Sequence, residues 1–271
     1  MKRLLSIELQ KIWMNKASRV LTIGYFILLS SIAAISSINF KFIGIDFRMA
    51  DMGIYDFPFI WHLNTFVAGL FKFFLAVVIV SMMSNEYSYG TLKQNLIDGL
   101  SKKEFILSKF YTVILFALLS TVFVFVMTLI LGYSFSSFNE TSIVFMDIIY
   151  LFGYLVKLIG FFSFCLFLGI LVKRSAFAIG FLFIWYVFEK ILMHMIEIPQ
   201  KVADFLPLES MYNLIKEPIS RFKTVQSIES QLSDSTNIRD YSVHWYSILI
   251  VLVWISIFIF LSYKLLKRRD L

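Results

Sequence analysis

The sequence is poor in the residues that most protein chemistry relies on. It has one cysteine, three histidines and four prolines, and charged residues make up only 16% of it. The lone Cys165 excludes an intramolecular disulfide and any cysteine cluster for a metal, and its apolar surroundings mark a buried or lipid-facing thiol. His62, His194 and His244 lie far apart, and none belongs to an H-E-x-x-H helix, so they read as interfacial side chains at span ends. No G-x-x-x-x-G-K-[ST] occurs, so ATP is not bound here through a P-loop. G-x-S-x-G is absent too, as is a carboxylate pair near the centre of any apolar run. The chain therefore reads as a non-enzyme, with no catalytic, metal or cofactor-binding residue. Asn-Glu-Thr at 139–141 matches a glycosylation sequon, which counts only in a eukaryotic secretory pathway.

What the sequence does have is hydrophobic length. Residues of that class make up 59% of the 271, and aromatics 18%. A soluble domain is nearer half apolar and about a quarter charged. Six apolar runs, at about 20–39, 59–83, 108–133, 145–172, 175–196 and 244–264, can each cross ~30 Å of hydrocarbon as a helix. Barrel strands would alternate apolar and polar residues, and these runs do not. The expected fold is an all-α integral membrane protein of six transmembrane helices, a single transmembrane domain over 1–271. Within it, 1–19 form an interfacial helix, 20–196 the first five spans, 197–243 an outer segment, and 244–271 the last span with its basic tail. No cleavable signal peptide is expected, because the first apolar run is long enough to remain as a span.

Six spans place both termini on one side. Lys2, Arg3, Lys11, Lys16 and Arg19 precede the first span; Lys93, Lys102, Lys103 and Lys109 lie around the loop after the second; Lys173-Arg174 turn after the fourth; and KLLKRRDL ends the chain. The opposite side has Lys41 and Arg48 in its first loop, no base in SFSSFNETS, and five bases among many acids in its long last loop, where charge counts for less. The positive-inside rule makes the first side cytoplasmic. The net charge of +7 is thereby topology, and nucleic acid is not expected as a partner. Before the first span, KRLLSIELQKIWMNK sets Leu5, Leu9, Ile12 and Trp13 at helical spacing, an amphipathic helix lying in the interface with membrane lipid, which serves either as an anchor or as a contact for a partner. In the outer segment, VADFLPLESMYNLIKEPI mixes apolar residues with prolines, as short broken helices dipping into the outer leaflet would. QSIESQLSDSTNIRDYS reads as an external loop.

Four charges fall inside apolar runs: Lys72, Lys157, Glu189 and Lys190. Each costs ~2.5–3.5 kcal/mol if unpaired at mid-bilayer. Folding the fourth and fifth spans back at Lys173-Arg174 sets Lys157 opposite 189 and 190, and Asp147 opposite Gln200 and Lys201. An intramembrane ion pair between Lys157 and Glu189 is expected. It serves either to fix the hairpin or as a polar patch on a substrate path. Lys190 can also snorkel to the outer interface.

The remaining feature is the polar insert 85–109, NEYSYGTLKQNLIDGLSKKEFILSK. Gly90-Thr91 opens a short amphipathic stretch with Leu92, Leu96, Ile97 and Leu100 on one side. Ser101 can cap the next helix, with Glu104 as its capping-box partner. A short helix joined rigidly to two spans suits docking of a soluble partner.

This stretch, E-Y-x-x-G-T-L-K followed by S-K-K-E-F-x-x-x-K, resembles the membrane (permease) subunits of type-2 ABC exporters. The layout of the whole chain resembles them as well. The match assigns ATPase coupling to Glu86, Gly90, Thr91, Leu92, Leu96, Ser101, Lys102, Lys103 and Lys109, with a coupling helix at about 92–100. Many members have Pro before the Ser, where this chain has Leu100. The resemblance implies a dimer, formed with a second copy or a paralogous permease, in a bacterial cytoplasmic (inner) membrane. Each permease would dock on a separate cytoplasmic ABC ATPase that holds the ATP and Mg, so this chain needs no cofactor. In that family the second and fifth spans commonly face the dimer axis, which makes Phe71, Lys72, Leu75, Tyr186 and Glu189 candidates for the substrate path. A non-exporting membrane scaffold and an ATPase-independent secondary transporter are the alternatives.

Overall fold

The computed structural model describes residues 2–38, 40–42, 45–47, 53–196, 198–221 and 240–269. Most of the polar stretch read as an external loop (222–239), and Arg48, lie outside these residues. Helix α1 is Lys2–Met14 and α2 is Lys16–Ser37, separated by Asn15, whose side chain accepts from the Ser18 amide at 3.1 Å and caps α2. Two short strands, Phe40–Phe42 and Ile45–Phe47, pair antiparallel with Lys41 opposite Asp46. The rest is helical: α3 (Phe59–Leu70), α4 (Lys72–Ser88), α5 (Thr91–Ile97), α6 (Lys102–Phe135), α7 (Thr141–Val144), α8 (Ile149–Val172), α9 (Ser175–His194), α10 (Gln200–Ala203), α11 (Pro207–Tyr212) and α12 (Trp245–Arg268).

Five of these helices are individually long and apolar enough to cross a membrane, and α3 with α4 supplies a sixth span bent by 44°. The second run was expected to be one spanning helix. It breaks at Phe71, whose amide bonds Ala68 O, three residues back, instead of four. Gly69 sits in that turn, and the end of Lys157 packs 3.7 Å from where its Cβ would be. Gly69, a weak helix former, lies two residues before the break.

Helix α8 is the hub. About 72% of the span that ends at Val172 is buried, against 17% for α2 and for α9, and α8 packs on α3, α4, α6, α9, α11 and α12. Part of its buried polar content is satisfied by hydroxyls of neighbouring helices. Tyr154, Tyr25 of α2 and Ser120 of α6 close a triangle of hydroxyl hydrogen bonds at 2.7–2.8 Å. Three hydroxyls can each donate once and accept once around such a ring, so none of these three is stranded.

Both chain ends lie at one end of the bundle, since Glu8 and Arg269 both reach elements flanking the start of α6. There Arg269 donates to Ile170 O, Leu171 O and Tyr87 Oη, at 2.5–3.0 Å, and Lys102 donates to Arg269 O at 3.0 Å. The tail thus takes up carbonyls left free at the C-terminus of α8.

At the other end, segment 198–221 folds back into the bundle. Met211 of α11 comes within 3.2 Å of where a Cβ on Gly160 would sit, eleven residues into α8, and Trp254 donates to Phe205 O at 3.0 Å. The segment expected as short broken helices does form them, α10 and α11, and α11 packs into the bundle. Asp147 pairs with Arg221 at 3.3 Å, instead of facing Gln200 and Lys201. Asp147 lies in the turn between α7 and α8, before α8 starts, so a register extended back along α8 does not place it.

Candidate functional site

The first site forms where α1, α4, α5 and α6 meet. Thr91 opens α5 after Gly90, whose φ of +69° turns the chain sharply out of α4. L-residues with a Cβ are disfavoured there, which is the physical content of Gly-Thr in this motif. Gly90→Ala is expected to destabilise the turn by roughly 1 kcal/mol. The check is faster amide exchange in peptides covering 86–97, with α8 peptides unchanged. At the next junction Ser101 and Glu104 form the expected reciprocal capping box.

Glu86, on the last turn of α4, is buried and collects donors from three elements. Lys109 of α6 reaches Oε1 at 2.6 Å, Lys11 of α1 reaches it at 2.9 Å, and Thr91 Oγ1 of α5 donates to Oε2 at 2.5 Å. Lys109 is 0% exposed and also donates to Glu8 at 2.5 Å. Two carboxylates and two ammonium groups therefore make an electrically balanced cluster. Such a cluster is weak as a source of net stability but severe when one partner is lost.

Of the predicted set, Glu86, Thr91 and Lys109 come together here. Leu92 is buried beneath α5, and Leu96 is partly buried against the core. Lys102 instead holds the tail, and Lys103 is exposed. Ile97, expected on the same side as the leucines, is 75% exposed, and Tyr89 is 74% exposed. Helix α5 ends at Ile97, one turn short of the expected 100, so Ile97 points off its end.

Glu8 and Lys11 were missed as partners. Their signal was available, since Glu8 is the only acid of α1 and falls on the same face as Leu5 and Ile12. Trp13, assigned to that face, is exposed, and Glu8 is buried in its place.

The second site is a cavity of about 280 Å³ between α3, α4, α8, α9 and α11. Its wall includes Lys72, Tyr186 and Glu189 from the candidate path, with Lys157, Lys190, Glu209, Tyr212 and an aromatic lining of Phe66, Phe73, Phe161 and Phe183. Phe71 and Leu75 do not line it, because the bend turns them away and Leu75 is buried in the core.

Lys157 and Glu189 both reach this cavity, each about 2% exposed, but they are not an ion pair. Glu189 is taken by other donors: the Leu208 amide at 3.1 Å, the Glu209 amide at 2.9 Å and the Trp185 indole at 2.7 Å. It caps the N-terminus of α11, where free amides favour a carboxylate. Glu209 is held by Lys190 at 2.9 Å, which answers the snorkelling expectation with a specific partner. The hairpin register placed Lys157 and Glu189 at matching depth; it could not foresee that α11 would insert between them.

Comparison with known proteins bears on both sites. The family described as ABC-2 family transporter protein matches residues 8–271, nearly the whole chain. A protein of Bacillus subtilis (strain 168), "Uncharacterized protein YhcI", is 32% identical over 93 residues. That match covers 34% of this chain and 29% of the relative's length, so the shared stretch spans under a third of that protein.

Proposed function

Because the chain belongs to the ABC-2 transporter family, whose members are membrane components of ABC transporters, we propose that it is the permease of an ATP-driven exporter. In this reading two permeases, identical or paralogous, form the substrate path in a bacterial inner membrane, and each docks on a cytoplasmic ABC ATPase. The end carrying α1, α5 and the tail faces the cytoplasm, as the basic residues there favour. ATP and Mg belong to the ATPase chain.

The observation that carries the proposal is the Glu86 cluster. Thr91 ties α5 to Glu86, and Glu86 ties α4 to α1 and α6 through Lys11 and Lys109. A push on α5 is then delivered to two spans and the interfacial helix at once. The exposed Tyr89 and Ile97 flank α5 and offer apolar contact to a docking partner. ATP binding shifts the membrane arrangement only as far as it favours one arrangement by contact energy, and this cluster is where that energy would enter the spans.

The test is co-purification with the cognate ATPase in nanodiscs, followed by hydrolysis rates for wild type and Glu86→Ala. The expected result is a stable complex whose rate falls at least about fivefold in the variant, the lower end of ordinary coupling energies. Failure to form a complex with any cassette ATPase would remove the exporter assignment. A complex indifferent to Glu86 would move coupling to α1 alone.

A further inference from the structure

The cavity between α4, α8 and α9 has an imbalance of charge that its own residues do not correct. Glu189 is occupied by three N–H donors and Glu209 by Lys190. Lys72 and Lys157 are left over. Among the described residues neither lies within ion-pair distance of a carboxylate. Lys157 makes one long contact, to Tyr212 O at 3.4 Å, and lies 5.5 Å from the Tyr212 ring. Lys72 has only ring faces, Phe161 at 4.4 Å and Phe73 at 5.9 Å. Phe161 follows Lys157 by one turn of α8, so Lys72 of α4 packs on the helix that carries Lys157, and both lysines line the cavity.

Buried ammonium groups without counterions are expensive, and a bound anion relieves that cost directly. The cavity mouth is apolar. Phe73 and Phe183 stack in parallel at 5.9 Å, and Leu70, Phe183 and Tyr186 are half-exposed on the side α9 presents outward. The volume of about 280 Å³ suits a headgroup and not a whole long-chain lipid, whose tail would have to leave through that mouth.

We infer that this cavity binds the phosphate-ester head of an anionic amphiphile, held between Lys72 and Lys157, with its apolar chain running out past Phe73 and Phe183. The inference rests on the permease reading, to which it adds a cargo class. A phosphate ester has several acceptor oxygens, which lets two point-charge donors share it without a fixed fork geometry.

The experiment is native mass spectrometry of the full chain released from a neutral maltoside detergent. It is titrated in parallel with dihexanoyl phosphatidic acid, dihexanoyl phosphatidylcholine and inorganic phosphate. Expected is one saturable phosphatidic acid per chain. Lys72→Met and Lys157→Met should each weaken it at least about tenfold, as loss of a charge-assisted contact does, while Lys201→Met leaves it unchanged. Methionine removes a buried charge at nearly constant volume, so both variants should fold.

Equal binding of phosphatidylcholine would show that the cavity reads the chain and not the head, and would overturn the inference. So would inorganic phosphate binding as tightly as phosphatidic acid, which would make it a plain anion site, or binding that survives both lysine variants. Assembly with the ATPase is scored separately on the same preparations. An intact complex with no lipid binding sinks this inference alone, and binding without a complex sinks the permease reading alone.

Discussion

Lys109→Met is expected to lower stability by about 3–5 kcal/mol, because it strands Glu8 and Glu86 side by side in a buried site. Lys11 cannot fully compensate, since its side chain is 38% exposed and it already serves Glu86. For a chain of this size the fall in midpoint should be roughly 10 °C. Cys165 provides the readout. It is the only thiol and is fully buried in α8, so a thiol-reactive fluorophore reports its exposure on heating. The companion variant carries Glu8→Gln, Glu86→Gln and Lys109→Met together. It should recover most of the loss, because the damage lies in the uncompensated charge and not in the missing contact. A Lys109→Met midpoint indistinguishable from wild type would mean that water reaches the cluster and the three elements are held by packing alone.

Glu189→Ala is the second large effect. It leaves the Leu208 and Glu209 amides and the Trp185 indole without an acceptor, and a buried unsatisfied donor costs about 1–3 kcal/mol. A total of about 3 kcal/mol or more is expected, localised to α11. Hydrogen exchange should rise in peptides covering 205–215 and stay unchanged in α8. Glu189→Gln keeps one acceptor oxygen and should lose less than the alanine variant. The contrast with Lys157 is decisive. If Glu189 were its counterion, Lys157→Met would be as damaging. The observed bonding predicts instead that Lys157→Met is neutral or stabilising, since it removes a charge that no carboxylate offsets.

The legibility of the sequence followed the range of the interactions. The spans could be read from hydrophobic length, and the Ser101 cap from a three-residue pattern, because both are local. The meeting of Glu86, Thr91 and Lys109 was legible only through the family-like motif around α5. Glu8 joins them from 101 residues away. It was hidden by the habit of treating the inner face of an interfacial helix as purely apolar. The Lys157 assignment failed for a different reason. Depth matching treats two spans as a closed pair, whereas α11 returned to the bundle and supplied the amides that outcompete a lysine for Glu189. The bend at Phe71 was not legible from hydrophobic length, since it falls inside one continuous apolar run.

The Arg269 latch carries a consequence for the order in which the molecule is made. Its carbonyl partners on α8 lie 98 and 99 residues upstream, and Tyr87 lies 182 residues upstream. Synthesis runs from the N-terminus, so α4, α6 and α8 must already be in the bilayer when Arg269 emerges. The latch also needs α12 to have been threaded, because Arg269 follows its last turn. Until then the Ile170 and Leu171 carbonyls and the Tyr87 hydroxyl lack this partner. Closure of the tail is therefore among the last contacts this bundle can make during synthesis.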